Sequence, residues 1–140
     1  MRRAGKTLNP TVDSSRYFRV GEAIICVTQP TERCRTIGRS VGIPKFLKVP
    51  HELEVCGFYA LVVAPGWVAA GDPMVLRARP QSRWSIKRLH RLMFHGLGDE
   101  QDVAQAMALE HLSAEWKSRA ETMRGRLRRG EPISSNLIDL

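Results

Sequence analysis

The stretch Tyr17–Cys34 reads YFRVGEAIICVTQPTERC and decides the fold of the first half of this chain. Residues that are β-branched or aromatic are concentrated in Tyr17–Val20 and again in Ala23–Thr28. The dipeptide Gly21-Glu22 separates the two runs, which predicts two short strands or one bulged strand. We expect the pairing to end at Pro30, because proline has no N–H to donate to a neighbouring strand.

Further apolar runs follow before Pro80. Their composition predicts strands bounded by turns that contain Gly or Pro. The predicted strands are Phe58–Val63, Trp67–Ala70 and Met74–Arg77. Between Cys34 and Phe58 the sequence favours short helices or turns, at Cys34–Val41 and Pro44–Val49.

After Pro80 the apolar residues recur about every 3.6 residues instead of every second residue. A period of 3.6 residues is typical of amphipathic helices. The predicted caps are Ser85, Asp99 and Ser113, and Gly130 is the predicted stop of the third helix. The predicted fold class is α+β. We therefore expect an irregular segment over residues 1–16, a β-rich part over 17–80, a three-helix domain over 81–129 and a tail over 130–140.

The chain has 140 residues, of which 43% are hydrophobic and 26% are charged, so it is expected to fold as a globular protein. Three cysteines without a CxxC pair match neither a zinc ribbon nor a disulfide framework. No apolar run approaches the roughly 18 residues that span a bilayer, and the start lacks the apolar part of a signal peptide. These features predict a cytoplasmic protein that does not associate with membranes.

The formal net charge is +8, which favours a polyanionic partner such as nucleic acid, a membrane surface or a phosphorylated cofactor. Residues 1–80 contain 12 basic and 6 acidic side chains, whereas residues 81–140 contain 10 and 8. Most of the excess positive charge therefore belongs to the β-rich half.

The thiol of Cys34 lies between Arg33 and Arg35. Neighbouring cations stabilise a thiolate, which makes this cysteine a candidate nucleophile or ligand for a soft metal. The alternative is that Cys34 is an unreactive cysteine at the end of a strand and has no functional role. We expect Cys26 to be a small buried residue and Cys56 to be a bystander in a turn.

A second candidate feature is the basic face of the first predicted helix, which lies opposite its apolar residues. Such a face is able to enter a nucleic-acid groove, but it is also typical of a solvated helix surface. The residues of this face are Arg83, Lys87, Arg88 and Arg91.

Several segments together carry a family resemblance. RVGEAIICVTQPTERC at Arg19–Cys34 resembles the strand and loop that lead to the metal-binding cysteine of MOSC domains, the module named after the C-terminus of molybdenum cofactor sulfurase. GIPKFLK at Gly42–Lys48 and GFYALVVAPGWVAAGDPMVL at Gly57–Leu76 are similar to later segments of that domain. WSIKRLHRLMFH at Trp84–His95 and LSAEWKSRAETM at Leu112–Met123 resemble the three-helix domain of stand-alone bacterial members.

This resemblance covers about residues 17–127 and implies a twisted β-barrel-like core with bound molybdenum cofactor. It implies that Cys34 is the protein thiolate on molybdenum and therefore both the catalytic and the metal-binding residue. We assign Arg33, Arg35 and Arg39 to the phosphate of the cofactor. Members of this type reduce N-hydroxylated small molecules with electrons from a redox partner protein, so the implied activity is that of a molybdenum-dependent oxidoreductase.

The chain departs from the family pattern at its start, where the upstream strands of the MOSC domain are not recognisable. We therefore expect a partial barrel with an exposed sheet edge and uncovered apolar residues such as Ile24 and Leu61. A homodimer that completes the sheet would cover them. Two other functions remain open, a sulfur carrier that holds a persulfide on Cys34 and a small basic module that binds nucleic acid.

Overall fold

The computed structural model describes residues 15–31, 39–43, 54 and 56–131. Over these ranges four strands precede three helices, which confirms the predicted α+β class. The strands are β1 (Tyr17–Val20), β2 (Ala23–Pro30), β3 (Phe58–Ala64) and β4 (Met74–Ala78). The helices are α1 (Ile86–His95), α2 (Glu100–Met107) and α3 (Ala114–Arg128).

The strands form an antiparallel sheet in the order β3-β2-β1-β4. β1 and β2 form the predicted pair of short strands, and the turn between them contains Gly21 with a φ of 55°. β2 is longer than predicted, because Pro30 lies opposite Phe58 and the N–H of Thr31 still donates to the carbonyl of Gly57 at 3.0 Å. Within the described residues the sheet is open rather than a closed barrel.

The prediction of a strand at Trp67–Ala70 is wrong. The N–H of Trp67 donates to the Glu22 carboxylate at 3.2 Å, and its carbonyl accepts from the N–H of Glu22 at 3.0 Å. The N–H of Ala69 donates to the carboxylate of Asp72 at 2.7 Å. These bonds hold the segment as a loop beside the β1–β2 turn, and the Trp67 side chain is 86% exposed.

All three predicted helix caps are present. Each cap side chain accepts a hydrogen bond from the backbone N–H three residues later, at 3.0, 2.8 and 3.3 Å for Ser85, Asp99 and Ser113. Such bonds satisfy amide groups that have no partner within the helix. α3 ends two residues before Gly130, which has a φ of 70°.

The hydrophobic core lies mainly in the helical half of the chain. Its cluster of buried residues extends from Trp84 to Met123 and draws on all three helices and the loops that join them. In the sheet, the fully buried side chains belong to β2 and are those of Cys26, Val27 and Pro30. By contrast, several apolar residues of β3 and β4 are exposed, among them Tyr59, Leu61, Val62, Val63, Met74 and Leu76.

Leu61 is 48% exposed, as expected for an uncovered apolar face, whereas Ile24 is half-buried.

Among the helices in the described ranges, none combines the length and the apolar character that crossing a membrane requires.

Candidate functional site

The predicted cofactor segment is only partly within the described residues. Cys34, Arg33 and Arg35 lie outside them. Arg39 is exposed and lies in a helical turn, and its carbonyl accepts from the N–H of Gly42 at 3.2 Å. The assignments of Cys34 to molybdenum and of the three arginines to the cofactor phosphate therefore remain predictions.

The structure does describe the framework that enters this segment. The end of β2 is buried from Thr28 to Pro30, and Thr31 is bonded to Gly57 on the neighbouring chain segment. A Cβ atom at Gly57 would come within 3.2 Å of the Thr31 hydroxyl oxygen, so glycine permits this close approach. The chain is thus tied to the sheet immediately before residue 32.

Two other thiols are described. Cys26 is completely buried, and burial raises the pKa of its thiol, so it stays protonated and is unsuited to bind a metal. This confirms the expected role of Cys26 as a small buried residue. Cys56 is partly buried and is not in a disulfide.

A groove separates the β2–β3 part of the sheet from the start of α3, and sequence reasoning did not predict it. It has a volume of about 540 Å³. Apolar side chains and a few polar groups share its walls, and it is widely open to solvent. The lining residues are Thr28, Gln29, Tyr59, Ala60, Leu61, His111, Ser113, Glu115 and Trp116.

A tyrosine–histidine pair lies at this groove. The hydroxyl oxygen of Tyr17 is 2.6 Å from Nε2 of His111, and the two rings meet edge to face with centres 5.9 Å apart. Burial and, to a smaller extent, the neighbouring Cys26 raise the pKa of Tyr17. The phenol therefore stays protonated at neutral pH, within hydrogen-bond distance of the His111 ring.

Two polar side chains of β2 that line the groove make hydrogen bonds to residues distant in the sequence. Oε1 of Gln29 accepts from the N–H of Ser113, the cap of α3, at 3.0 Å. Thr28 donates its hydroxyl hydrogen to the carbonyl of Tyr59 at 3.1 Å. The partners are 84 and 31 residues apart in the sequence, so no local pattern could have revealed these contacts.

The basic face of α1 is not a free cationic surface. Glu54 accepts from Lys87 at 2.8 Å and from Arg91 at 2.5 Å, and Arg88 pairs with Asp102 at 2.6 Å. The hydrogen bonds from Arg91 and Lys87 hold the pKa of Glu54 at about 2. Glu54 and Asp102 thus pair with three of the four predicted cations, so this face carries a smaller net positive charge than the helix sequence alone indicates.

No three His, Cys, Asp or Glu side chains lie together in a metal-binding arrangement within the part of the chain that the structure describes.

The fold defines the class to which the chain belongs. It is similar to the crystal structure of YiiM from Geobacillus stearothermophilus, with a TM-score of 0.79 and 24% identity over 86% of this chain and 61% of that chain. YiiM from Escherichia coli aligns with a TM-score of 0.74 and 25% identity over 88% of this chain and 59% of that chain. A β-sheet followed by a small helical domain is thus an architecture that the chain shares with YiiM proteins.

The family models agree with this class. The MOSC domain model matches residues 4–75, and a model described as a YiiM-like 3-alpha helix domain matches residues 84–130. The chain belongs to the MOSC domain family, which confirms the predicted resemblance.

A curated relative, "Uncharacterized protein YflK" of Bacillus subtilis (strain 168), is 24% identical over 101 residues. The aligned part is 72% of this chain and 46% of YflK, so the chain spans about half the length of this relative.

Proposed function

We propose that this chain binds molybdenum cofactor through the thiolate of Cys34 and takes part in the reduction of N-hydroxylated compounds. The observation that carries the proposal is membership of the MOSC family, because the matched residues 4–75 include Cys34 and both flanking arginines.

The donor chemistry supports this choice of metal ligand. Molybdenum accepts a soft thiolate, and Arg33 and Arg35 favour the thiolate form of Cys34. Cys26 cannot substitute for it, since its thiol is buried and protonated. The cofactor carries the metal, so the chain needs to supply only one thiolate and a cationic surface for the phosphate, to which Arg39 contributes an exposed guanidinium.

The reaction consumes two electrons and two protons and converts an N-hydroxylated group into the amine and water. Bound cofactor would supply the metal centre that accepts the N–O oxygen. A redox partner protein would supply the electrons. The described part of the chain supports this proposal in one respect, because Thr31 is bonded to the sheet three residues before Cys34.

We also propose a cytoplasmic location, which agrees with the buried Cys26 thiol lying outside any disulfide.

Metal analysis of the purified chain tests the proposal. After expression in a host that makes the cofactor, we expect molybdenum and pterin fluorescence in the wild type and their loss in Cys34→Ser. Cys56→Ser is the matched control and should retain both, because it removes another thiol that is not completely buried.

Two results would contradict the proposal: a wild-type protein without molybdenum, or a Cys34→Ser variant with as much metal as the wild type. Intact mass spectrometry tests the alternative function, a sulfur carrier that holds a persulfide on Cys34. An adduct of about 32 Da, the mass of one sulfur atom, that depends on Cys34 and replaces the metal would indicate a persulfide.

A further inference from the structure

The end of β2 leads directly to the segment that contains Cys34. Thr31 lies three residues before Cys34, and three residues of extended chain span at most about 11 Å. The position of Thr31 therefore limits the positions that the Cα atom of Cys34 can occupy. Contacts that fix the end of β2 also fix the start of the Cys34 segment.

Backbone pairing supplies fewer hydrogen bonds at this end of β2 than a regular strand pair does. Pro30 has no N–H to donate to β3. The register also shifts between Val27 and Gln29, which leaves Thr28 as an extra residue on β2. Such a bulge interrupts the ladder of hydrogen bonds and redirects the side chains near it. Side-chain bonds therefore contribute more to the position of the strand end.

Gln29 makes a bond of this kind to the helical half of the chain. The residue is 8% exposed, and its Oε1 atom accepts from the backbone N–H of Ser113 at 3.0 Å. Ser113 is itself held in place, because Leu112 and Trp116 are 5% and 1% exposed and belong to the main hydrophobic cluster. Breaking a hydrogen bond between shielded groups is unfavourable, since water does not readily replace the lost partner. The helices thus give the end of β2 a fixed partner.

We propose that Gln29 is a positioning residue, through which the helices fix the end of β2 and thereby the position of the Cys34 thiolate. This inference rests on the proposed function, in which Cys34 binds the metal of the cofactor. A metal ligand has to be held accurately by the residues that support it. The helices then contribute to cofactor binding through Gln29, although Gln29 acts only through the chain that leads to Cys34.

The variant Gln29→Met removes the bond and keeps the length of the side chain, because a thioether is only a weak acceptor. Gln29→Glu keeps an oxygen acceptor and should restore the bond. Ser113→Ala is a control for stability, since it removes the cap hydroxyl but retains the backbone N–H that Gln29 accepts from. Gln105→Met makes the same chemical change at an exposed position of α2.

Hydrogen exchange of the full chain without cofactor, followed by NMR, is the first measurement. The N–H of Thr31 donates to the carbonyl of Gly57 at 3.0 Å, so its exchange rate reports opening of the strand end. We expect roughly fivefold faster exchange at Thr31 in Gln29→Met, and rates close to wild type in Gln29→Glu and in both controls. Equal rates in Gln29→Met and wild type would overturn the proposal, as would equal acceleration by Ser113→Ala.

The molybdenum content of each chain is the second measurement and concerns Cys34 itself. After expression in a host that makes the cofactor, we expect Gln29→Met to retain at least about threefold less metal than wild type. Gln29→Glu and both controls should retain the wild-type amount. Normal metal content in Gln29→Met would overturn the positioning role even if Thr31 exchanges faster.

A wild type without molybdenum would contradict the proposed function rather than the role of Gln29. The rate at which Cys34 reacts with iodoacetamide then replaces the metal content, and peptide mass spectrometry distinguishes Cys34 from the other two thiols. We expect this rate to differ at least about threefold between Gln29→Met and wild type, and to be unchanged in both controls. Equal rates in Gln29→Met and wild type would overturn the proposal.

Discussion

Glu54 shows how one residue connects two distant parts of the chain. It has a positive φ of 54°, and its carboxylate lies between Lys87 and Arg91 of α1. The conformation is uncommon for a residue with a side chain, so it has to be maintained by surrounding contacts. The two ion pairs hold the Glu54 side chain against α1.

We predict that Glu54→Gln lowers the free energy of unfolding at pH 7 by about 1 kcal/mol, in the range of ion pairs near a surface. The pKa of Glu54 is lowered from 4.5 to about 2, so the contribution is complete above pH 4.5 and is lost as the pH falls toward 2. Urea unfolding at several pH values measures this difference. Glu121→Gln, at an exposed position of α3, is the control and should change little; a difference for Glu54→Gln that persists unchanged at pH 2 would contradict the prediction.

At the residue scale, the sequence predicted that Cys26 is buried and that Ser85, Asp99 and Ser113 cap the helices. Both predictions depend on immediately neighbouring residues. It predicted the basic residues of α1 as a surface but not their partners. Glu54 is 33 and 37 residues away from Lys87 and Arg91, and an ion pair over that separation depends on how the chain folds back.

At the scale of elements, the start of α3 connects the helices to the sheet through hydrogen bonds of Ser113. The Ser113 hydroxyl accepts from the N–H of Trp116 at 3.3 Å, while the backbone N–H of Ser113 donates to Gln29 of β2. The cap thus satisfies a helix terminus and positions the helix against the sheet. Trp116, one turn later, is 1% exposed and belongs to the core.

We predict that Ser113→Ala destabilises the protein by about 1 kcal/mol, the usual cost of losing a side-chain cap. The backbone bond to Gln29 remains, so the sheet should keep its contact with α3. Thermal unfolding followed by circular dichroism measures the loss. Ser118→Ala, at an exposed position within α3, is the control and should be neutral or slightly stabilising, because alanine has the higher helix propensity; equal destabilisation by both variants would show that the cap is not the cause.

At the scale of the whole molecule, buried apolar residues are distributed unevenly. The main cluster lies within residues 84–123, whereas β4 is exposed along its whole length and β3 is exposed at most positions. Regions with few buried contacts open more easily than the core of the same protein.

We therefore predict that amide hydrogens of α3 exchange with solvent at least about tenfold more slowly than those of β4, which corresponds to about 1.4 kcal/mol of additional opening free energy. Hydrogen exchange followed by mass spectrometry, corrected for the intrinsic rate of each peptide, measures the ratio. Equal protection of both elements would show that the sheet and the helices open as one unit.

By itself, the sequence determined the family and, apart from the strand wrongly predicted at Trp67–Ala70, the type and order of the elements. Strand composition, helical spacing and the caps Ser85, Asp99 and Ser113 act within a few residues, and the motifs around Cys34 are also continuous. Only the tertiary structure decided that Trp67 lies in a loop beside the β1–β2 turn and that Tyr17 meets His111. These contacts join residues 45 and 94 positions apart, and such contacts arise only when the chain folds.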